Sequence, residues 1–243
     1  IIPVLWRGQI WNTDSYSLAM ALAMGVVYAF AIGGLLLAFS LAPVSIVGPL
    51  TGAYPALVVV WGLFNGLSPN ALQWSGIVLV LVGVMIVGRS GHDDGGSDSV
   101  AAGRMPLVIA SATIAAVAFA AAVVMGQAAT HGLGEYEVTF LSRFPAAALL
   151  LGMVLRERGQ KLVMSRSALI SVFAMAACDV VAVTAINASA HFPNRELGAM
   201  AISSYGALSV VLAMLILKER VTAFQWFGIF LVVAGVAALG WPA

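Results

Sequence analysis

Eight long apolar runs, at 15–39, 43–64, 72–88, 106–130, 138–155, 167–188, 198–217 and 223–241, dominate this sequence. A helix that crosses a bilayer needs about 20 mainly apolar residues, and each run approaches or meets that length. In hydrocarbon the backbone must satisfy its own hydrogen bonds, so only helices and closed barrels can span. The runs lack the apolar/polar alternation of barrel strands, which leaves helices. Composition agrees, because 62% of the 243 residues are hydrophobic and only 9% are charged. A soluble domain is about half apolar and about a quarter charged, and so few charges cannot cover a surface of this size. A net charge of +1 offers no basic stripe for nucleic acid. The single cysteine, Cys178, excludes an intrachain disulfide and a Cys-rich metal site. Lying within a run, it reads as a buried thiol used as a small apolar side chain. The expected fold is all-α: a polytopic transmembrane helical bundle of about eight spans.

The chain opens Ile1-Ile2-Pro3-Val4-Leu5-Trp6-Arg7, without Met or a signal-peptide layout. It reads as the tail of an earlier hydrophobic segment, so a stretch before residue 1 is expected. Residues 89–105 are polar and rich in Gly and Ser, a flexible composition. His92, Asp93 and Asp94 within it read as solvated side chains, because a metal cage needs rigid convergent ligands. This linker separates a first half, 1–88, from a second, 106–243.

The halves are related. Gln73 to Val84 aligns without gaps onto Gln225 to Val236, with eight of twelve positions identical, and with one gap Tyr54 aligns with Tyr205. Gln-Trp-x-Gly opening both segments is the informative part of this internal repeat. The second half holds five spans and the first holds three after a truncated start. Five spans per repeat would force the second to insert with opposite orientation, the inverted repeat of many secondary transporters.

The residues resemble the EamA-type branch of the drug/metabolite transporter superfamily. Ala42-Pro43-Val44-Ser45-Ile46-Val47-Gly48-Pro49-Leu50 followed by Tyr54-Pro55-Ala56 is similar to that family's fourth helix. Gln73-Trp74-x-Gly76 with Gly83-Val84 is similar to its fifth. Lys218-Glu219-Arg220 before Gln225-Trp226 resembles the turn joining its ninth and tenth helices, and Cys178-Asp179 resembles an Asp found in its eighth. The resemblance spans 15–241 and implies two five-helix repeats, with helices one and two absent here. It implies transport of small organic solutes or metabolites, often outward, from a bacterial cytoplasmic (inner) membrane. The first-half turn, Asn65-Gly66-Leu67-Ser68, lacks the Glu-Arg pair, so no role carries onto it.

A charge in hydrocarbon costs about 2.5 kcal/mol or more at mid-helix, so ionisable residues within runs are the first candidates. Asp179 falls near mid-span, where it binds a cationic group, carries a proton, or forms a static interhelical pair. Arg143 holds an anionic group, pairs with Asp179, or snorkels to the interface. Glu135 and Glu137 are shallower and read as interfacial. Two prolines in Gly48-Pro49-Leu50-Thr51-Gly52-Ala53-Tyr54-Pro55 weaken the span at 43–64. Such breaks survive where protein or a wet cavity satisfies the freed carbonyls, which makes Thr51 and Tyr54 candidate cavity lining. Ser204 and Tyr205, at the matching place in the second half, are candidates for the same reason. The rival reading is a kink that only packs, with hydroxyls bonding their own backbone. Val58 and Leu212 are taken to face lipid. Gly76, Gly83, Gly228, Gly235 and the Gly62-x-x-x-Gly66 pair read as small residues for close helix approach. Trp74, Trp226 and Trp241 read as interface anchors; Trp61, Tyr28 and Tyr16 stack a solute or pack the core.

No nucleophile elbow, phosphate loop, metal motif or dinucleotide fingerprint occurs, so neither enzyme chemistry nor a cofactor is expected. The expected function is secondary transport by alternating access, as a monomer or homodimer, with a proton as candidate coupling ion. A non-transporting membrane scaffold or regulator, and a lipid-acting enzyme, are the rivals. Lys/Arg gather in the connections 89–105, 156–166 and 218–222. The positive-inside rule makes that side cytoplasmic, whereas the family's usual layout implies the reverse.

Overall fold

The computed structural model of this chain describes residues 14–42, 47, 51–52, 54–90, 105–156, 165–191, 198 and 223–239. Every regular element among them is helical: α1 (Ser15–Leu41), α2 (Tyr54–Phe64), α3 (Ala71–Ser90), α4 (Met105–Ala129), α5 (Glu135–Arg156), α6 (Arg166–Ala188) with a 3-10 turn at Ser189–His191, and α7 (Ala223–Leu239). Four segments, Ser15–Leu41, Pro106–Ala129, Glu135–Arg156 and Val172–His191, are long and apolar enough to cross a membrane. Of the expected span at 198–217 only residue 198 is described, and residues 91–104 of the linker expected at 89–105 lie outside the described residues.

Helix ends follow local side-chain chemistry. The Ser17 amide donates to Asp14 Oδ2 at 3.1 Å, making Asp14 the N-cap of α1. Hydrogen bonds from Ser17 hold the Asp14 carboxyl below its usual range. A lowered folded-state value means the cap's contribution is complete at neutral pH and is lost as pH falls through it. At α3, Gln73 N donates to Asn70 Oδ1 at 2.8 Å and Asn70 N donates to Gln73 Oε1 at 3.0 Å, a reciprocal capping box. The Gln of Gln-Trp-x-Gly is thereby a helix-start residue. In sequence the same spacing recurs as Thr222 and Gln225 ahead of α7. Gly66 is not a packing residue. Its φ is 92° with open space around it, and Leu67 N and Gly66 N donate to the carbonyls of Gly62 and Leu63 at 2.9 and 3.3 Å. That is the left-handed stop that ends α2.

The chain divides into two compact units: one within Ile1–Phe30 and Ala121–Pro193, the other within Ala31–Ala120 and Asn194–Ala243. The second unit contains a close antiparallel crossing of α3 and α7. A Cβ at Gly76 would lie 2.9 Å from Gly235 O, and one at Gly83 would lie 2.7 Å from Gly228 O. The repeat pairs Gly76 with Gly228 and Gly83 with Gly235, so these two contacts are the same contact with the partners exchanged. Val80 and Val232 complete the exchange: a Cβ at Gly235 would meet Val80 Cγ2 at 2.8 Å, and one at Gly83 would meet Val232 Cγ2 at 2.7 Å. Both valines are fully buried. Val58, expected to face lipid, is also fully buried. The outward stripe of α2 runs instead through Leu57, Val60, Trp61 and Phe64, at i, i+3, i+4 and i+7.

The first unit is built on Ala21, Met24, Ala122, Ala129, Leu133, Val138 and Val183. Gly25 of α1 sits against the Ser142 carbonyl and Pro145 of α5, so tightly that a Cβ would overlap the carbonyl. Around these cores large apolar side chains point outward, among them Phe173, Met175 and Val181 of α6. Soluble proteins seldom expose apolar patches of that extent, and lipid is the solvent that suits them.

Gly→Ala should therefore have opposite signs at two helical glycines. At Gly83 the new Cβ meets backbone that cannot yield, a cost of about 1–3 kcal/mol. At Gly152 of α5 nothing lies within 4 Å, so removing glycine's chain entropy should stabilise by about 0.5–1 kcal/mol. Thermal unfolding of both variants in detergent checks this; equal shifts would contradict the crossing.

Candidate functional site

Arg143 and Asp179 meet in the first unit. The sequence expectation began the fifth long run at Val138 and left Arg143 about one turn inside. The helix instead begins at Glu135, because acidic residues suit the first turn, where free amides face outward. Arg143 thus lies about 12 Å along α5 at 1.5 Å per residue, too deep for easy snorkelling. Asp179, thirteen residues beyond Arg166 in α6, lies about 20 Å along its own helix.

Arg143 Nη2 is 2.8 Å from Asp179 Oδ2. The other oxygen, Oδ1, accepts the Tyr28 hydroxyl at 2.6 Å. The guanidinium also lies over the Tyr28 ring, 5.0 Å from its centroid, within cation–π range. Each oxygen of Asp179 is therefore engaged, while the side chains stay 28% and 41% exposed for Arg143 and Asp179. Arg143 has donors to spare: among the described residues its buried Nε has no acceptor, and Nη2 approaches Asp179 at ion-pair distance without hydrogen-bond alignment. A guanidinium carries five N–H donors in a flat fork suited to carboxylate or phosphate. The cluster therefore has an acid with both oxygens engaged beside a paired cation that still has donors to spare.

A second polar group of side chains occupies the end of this unit where α5 begins. Asn187 Nδ2 donates to Thr139 Oγ1 at 3.0 Å, Thr184 Oγ1 donates to the same hydroxyl oxygen at 3.2 Å, and Gln127 Nε2 donates to Ser189 Oγ at 3.0 Å. Gly126 makes room for Asn187, whose Oδ1 lies where a Cβ would be. Glu137 corrects the sequence reading. Read as interfacial and therefore near water, it has no exposed surface at all, and both carboxyl oxygens lack a hydrogen-bond partner among the described residues. Glu137, Val138 and Thr139 are all buried, whereas Tyr136 on the other side of the same turn is exposed, so protein covers one face of the first turn of α5. An ionised carboxylate enclosed in this way costs several kcal/mol. The helix N-terminus returns about 0.3–1 kcal/mol, ~2 at most.

The other candidates stand elsewhere. Thr51 Oγ1 donates to its own backbone, Val47 O, at 2.9 Å and is buried; Tyr54 packs tilted against Phe119 with ring centroids 5.6 Å apart. Both belong to the second unit. Ser204, Tyr205 and Leu212 lie outside the described residues. Cys178 is exposed, not buried, because α6 turns Asp179 toward α5 and leaves its neighbour on the outer face. Tyr28 was legible only as an aromatic in a span. Its hydroxyl became informative through Gly25, one turn earlier, which brings α1 onto α5.

A sequence model described as the EamA-like transporter family matches residues 106–241. The chain belongs to the EamA-like transporter family. With its apolar helices this makes it an integral membrane protein, of a family named for transport. A solved structure described as "Crystal structure of protein" is similar over 96% of this EamA-like chain and 91% of its own, with a TM-score of 0.69 and 16% identity. At that identity the likeness is one of fold. No curated protein matches the chain.

The charged cluster predicts a coupled pair. Asp179→Asn or Arg143→Gln alone should destabilise by about 1–3 kcal/mol, the loss of a charge-assisted contact in a partly open site. The double variant should be more stable than the sum of the singles, and Tyr28→Phe should cost about 1 kcal/mol. Unfolding of the wild type and the four variants in detergent measures this, and strict additivity would show that the pair contributes nothing.

Proposed function

We propose that this protein is a secondary transporter of small organic solutes bearing an acidic group, and that Arg143, with its spare donors, holds that group. The observation that carries the reading is the asymmetry of the cluster: Asp179 has both oxygens engaged, by Arg143 and Tyr28, whereas buried guanidinium donors remain open. An arginine with unmet donors is stable only if an acceptor arrives, and a solute carboxylate supplies two. Asp179 fixes the guanidinium and Tyr28 backs it with a ring face, so the fork is oriented before the solute binds. Such preorganisation lowers the cost of binding. Thr51, Tyr54, Ser204 and Tyr205 are proposed separately as solute-binding residues of the second unit.

The transport cycle we infer is alternating access between two inverted repeats, 1–88 and 106–243, joined by the polar linker 89–105. Its support is the exchange-symmetric crossing of α3 and α7. Equivalent segments that meet antiparallel, with contacts Gly76·Gly235 and Gly83·Gly228, are what a two-fold axis in the membrane plane produces. Export across a bacterial cytoplasmic membrane is the direction and place the family resemblance favours. Catalysis has no part in this reading.

Purified protein in liposomes, offered a panel of carboxylate-bearing, cationic and neutral metabolites with and without a pH gradient, tests it. A carboxylate-bearing solute should move, and Arg143→Gln should raise its KM about tenfold or more, the worth of a charge-assisted hydrogen bond. No movement of any solute would favour a scaffold or regulator; movement of cations alone would overturn the role of Arg143.

A further inference from the structure

The side-chain bonds between α5 and α6 gather at one end of the two helices. Thr184 and Asn187 reach Thr139, and Asp179 meets Arg143, all within residues 135–143 of α5 and 179–188 of α6. Beyond that end the helices change character. From Ala147 to Arg156 no residue of α5 is buried, and all but Leu150 are exposed. From Leu169 to Cys178 every described side chain of α6 is exposed, with Phe173 at 68% and Met175 at 73%. About ten residues make nearly three helical turns, so each segment is open on all its sides. α3 and α7 differ, because each keeps one buried stripe, through Val80 in one and Val232 in the other.

The open end also carries positive charge. Arg156 closes α5 and Arg166 opens α6. Both are exposed, and among the described residues neither meets an acid. Across 156–166 the sequence sets four basic residues against one acid, Glu157. We propose that this open end of α5 and α6 binds an anionic phospholipid, with Arg156 and Arg166 holding its phosphate and its acyl chains lying along the exposed apolar faces. A free phosphate would satisfy the arginines and leave Phe173 and Met175 uncovered. A second copy would cover those faces, and Ala148 and Gly152, with open space around the glycine, are small enough to admit it. Pairing about a two-fold axis along the membrane normal, however, brings two positive connections to the same side, where like charges repel. An anionic lipid supplies apolar chains and opposite charge together. The guanidinium fork suits phosphate oxygens, and each basic residue near the membrane surface strengthens attraction to anionic lipid about fivefold. A zwitterionic lipid offers the same chains without net charge, so the headgroup decides. This site stands apart from the solute reading, and its test needs no transport.

Fluorescence quenching in vesicles reads the lipid directly. With Cys178 replaced by Ala, a bimane label would be placed on Leu155→Cys, beside Arg156, or on Val233→Cys of α7 for comparison; both native side chains are well exposed. Phosphatidylcholine vesicles would contain an equal, minor fraction of brominated-chain phosphatidylglycerol or brominated-chain phosphatidylcholine. At Leu155 phosphatidylglycerol should quench in clear preference to phosphatidylcholine, whereas at Val233 the two should quench alike. The preference should fall about fivefold in Arg156→Gln and about fivefold again when Arg166→Gln is added, while Arg156→Lys keeps most of it. Unchanged helical circular dichroism and unchanged quenching at Val233 show that the variants fold. Inorganic phosphate added at matched ionic strength should leave the preference standing; its loss would assign the arginines to a soluble anion and overturn the proposal. Equal quenching by both lipids at Leu155, or a preference untouched by either arginine variant, would overturn it too. If neither lipid quenches there, a second copy covers the face and the lipid site does not exist.

Discussion

Helices surrounded by lipid gain nothing from hiding apolar surface against one another, since lipid tails are as apolar as leucine. Close approach, and the polar contacts it permits, must hold them instead. The places where this chain removes side chains are therefore the places that set its geometry. Gly76, Gly83, Gly228 and Gly235 bring α3 and α7 to backbone contact. Gly25 lets α1 settle on the Ser142 carbonyl and Pro145. One helical turn later Tyr28 is then within reach of Asp179. Gly126 makes the same allowance for Asn187, whose amide then reaches Thr139. Small residues come first in this chain of cause, and the polar constellation follows from the distances they allow.

The first unit then treats two carboxyls in opposite ways. Asp179 is deep along its helix yet partly open and fully engaged. Glu137 is shallow along its helix yet closed off and without a donor. Depth in sequence and exclusion from solvent are thus different quantities. Lipid alone would leave Glu137 near water, and the packing of its neighbours removes that water. These two acids of the unit thus differ in surroundings: one is fixed beside an arginine, and the other is buried without a hydrogen bond from any described residue.

Membrane residence, helical class and family were legible in the sequence because they rest on long-range averages: apolar runs, scarce charge and a repeated motif. The meeting of Arg143 and Asp179 was legible as one of several options, since two opposite charges in apolar runs need partners. Gln73 was visible as part of a repeat, but its capping role with Asn70 needed the exact start of α3. The same one-turn uncertainty misplaced Arg143 and hid the enclosure of Glu137, which depends on three successive buried positions no helical period predicts. Gly66 was misread because x-x-x-Gly spacing is shared by packing stripes and helix stops, and only its positive φ separates them. Val58 and Cys178 failed for a related reason: in a helix apolar all round, hydrophobicity does not tell the lipid face from the protein face.

If the proposed inverted repeats exist, α3 and α7 cross the membrane in opposite directions, and labelling from one side reads this out. With Cys178 replaced by Ala, single cysteines at Ala71 and Ala223, the first residues of α3 and α7, would be exposed in sealed vesicles to a membrane-impermeant thiol reagent. The inverted arrangement predicts that one position labels only from outside and the other only after the vesicles are opened. Labelling of both from the same side would contradict it.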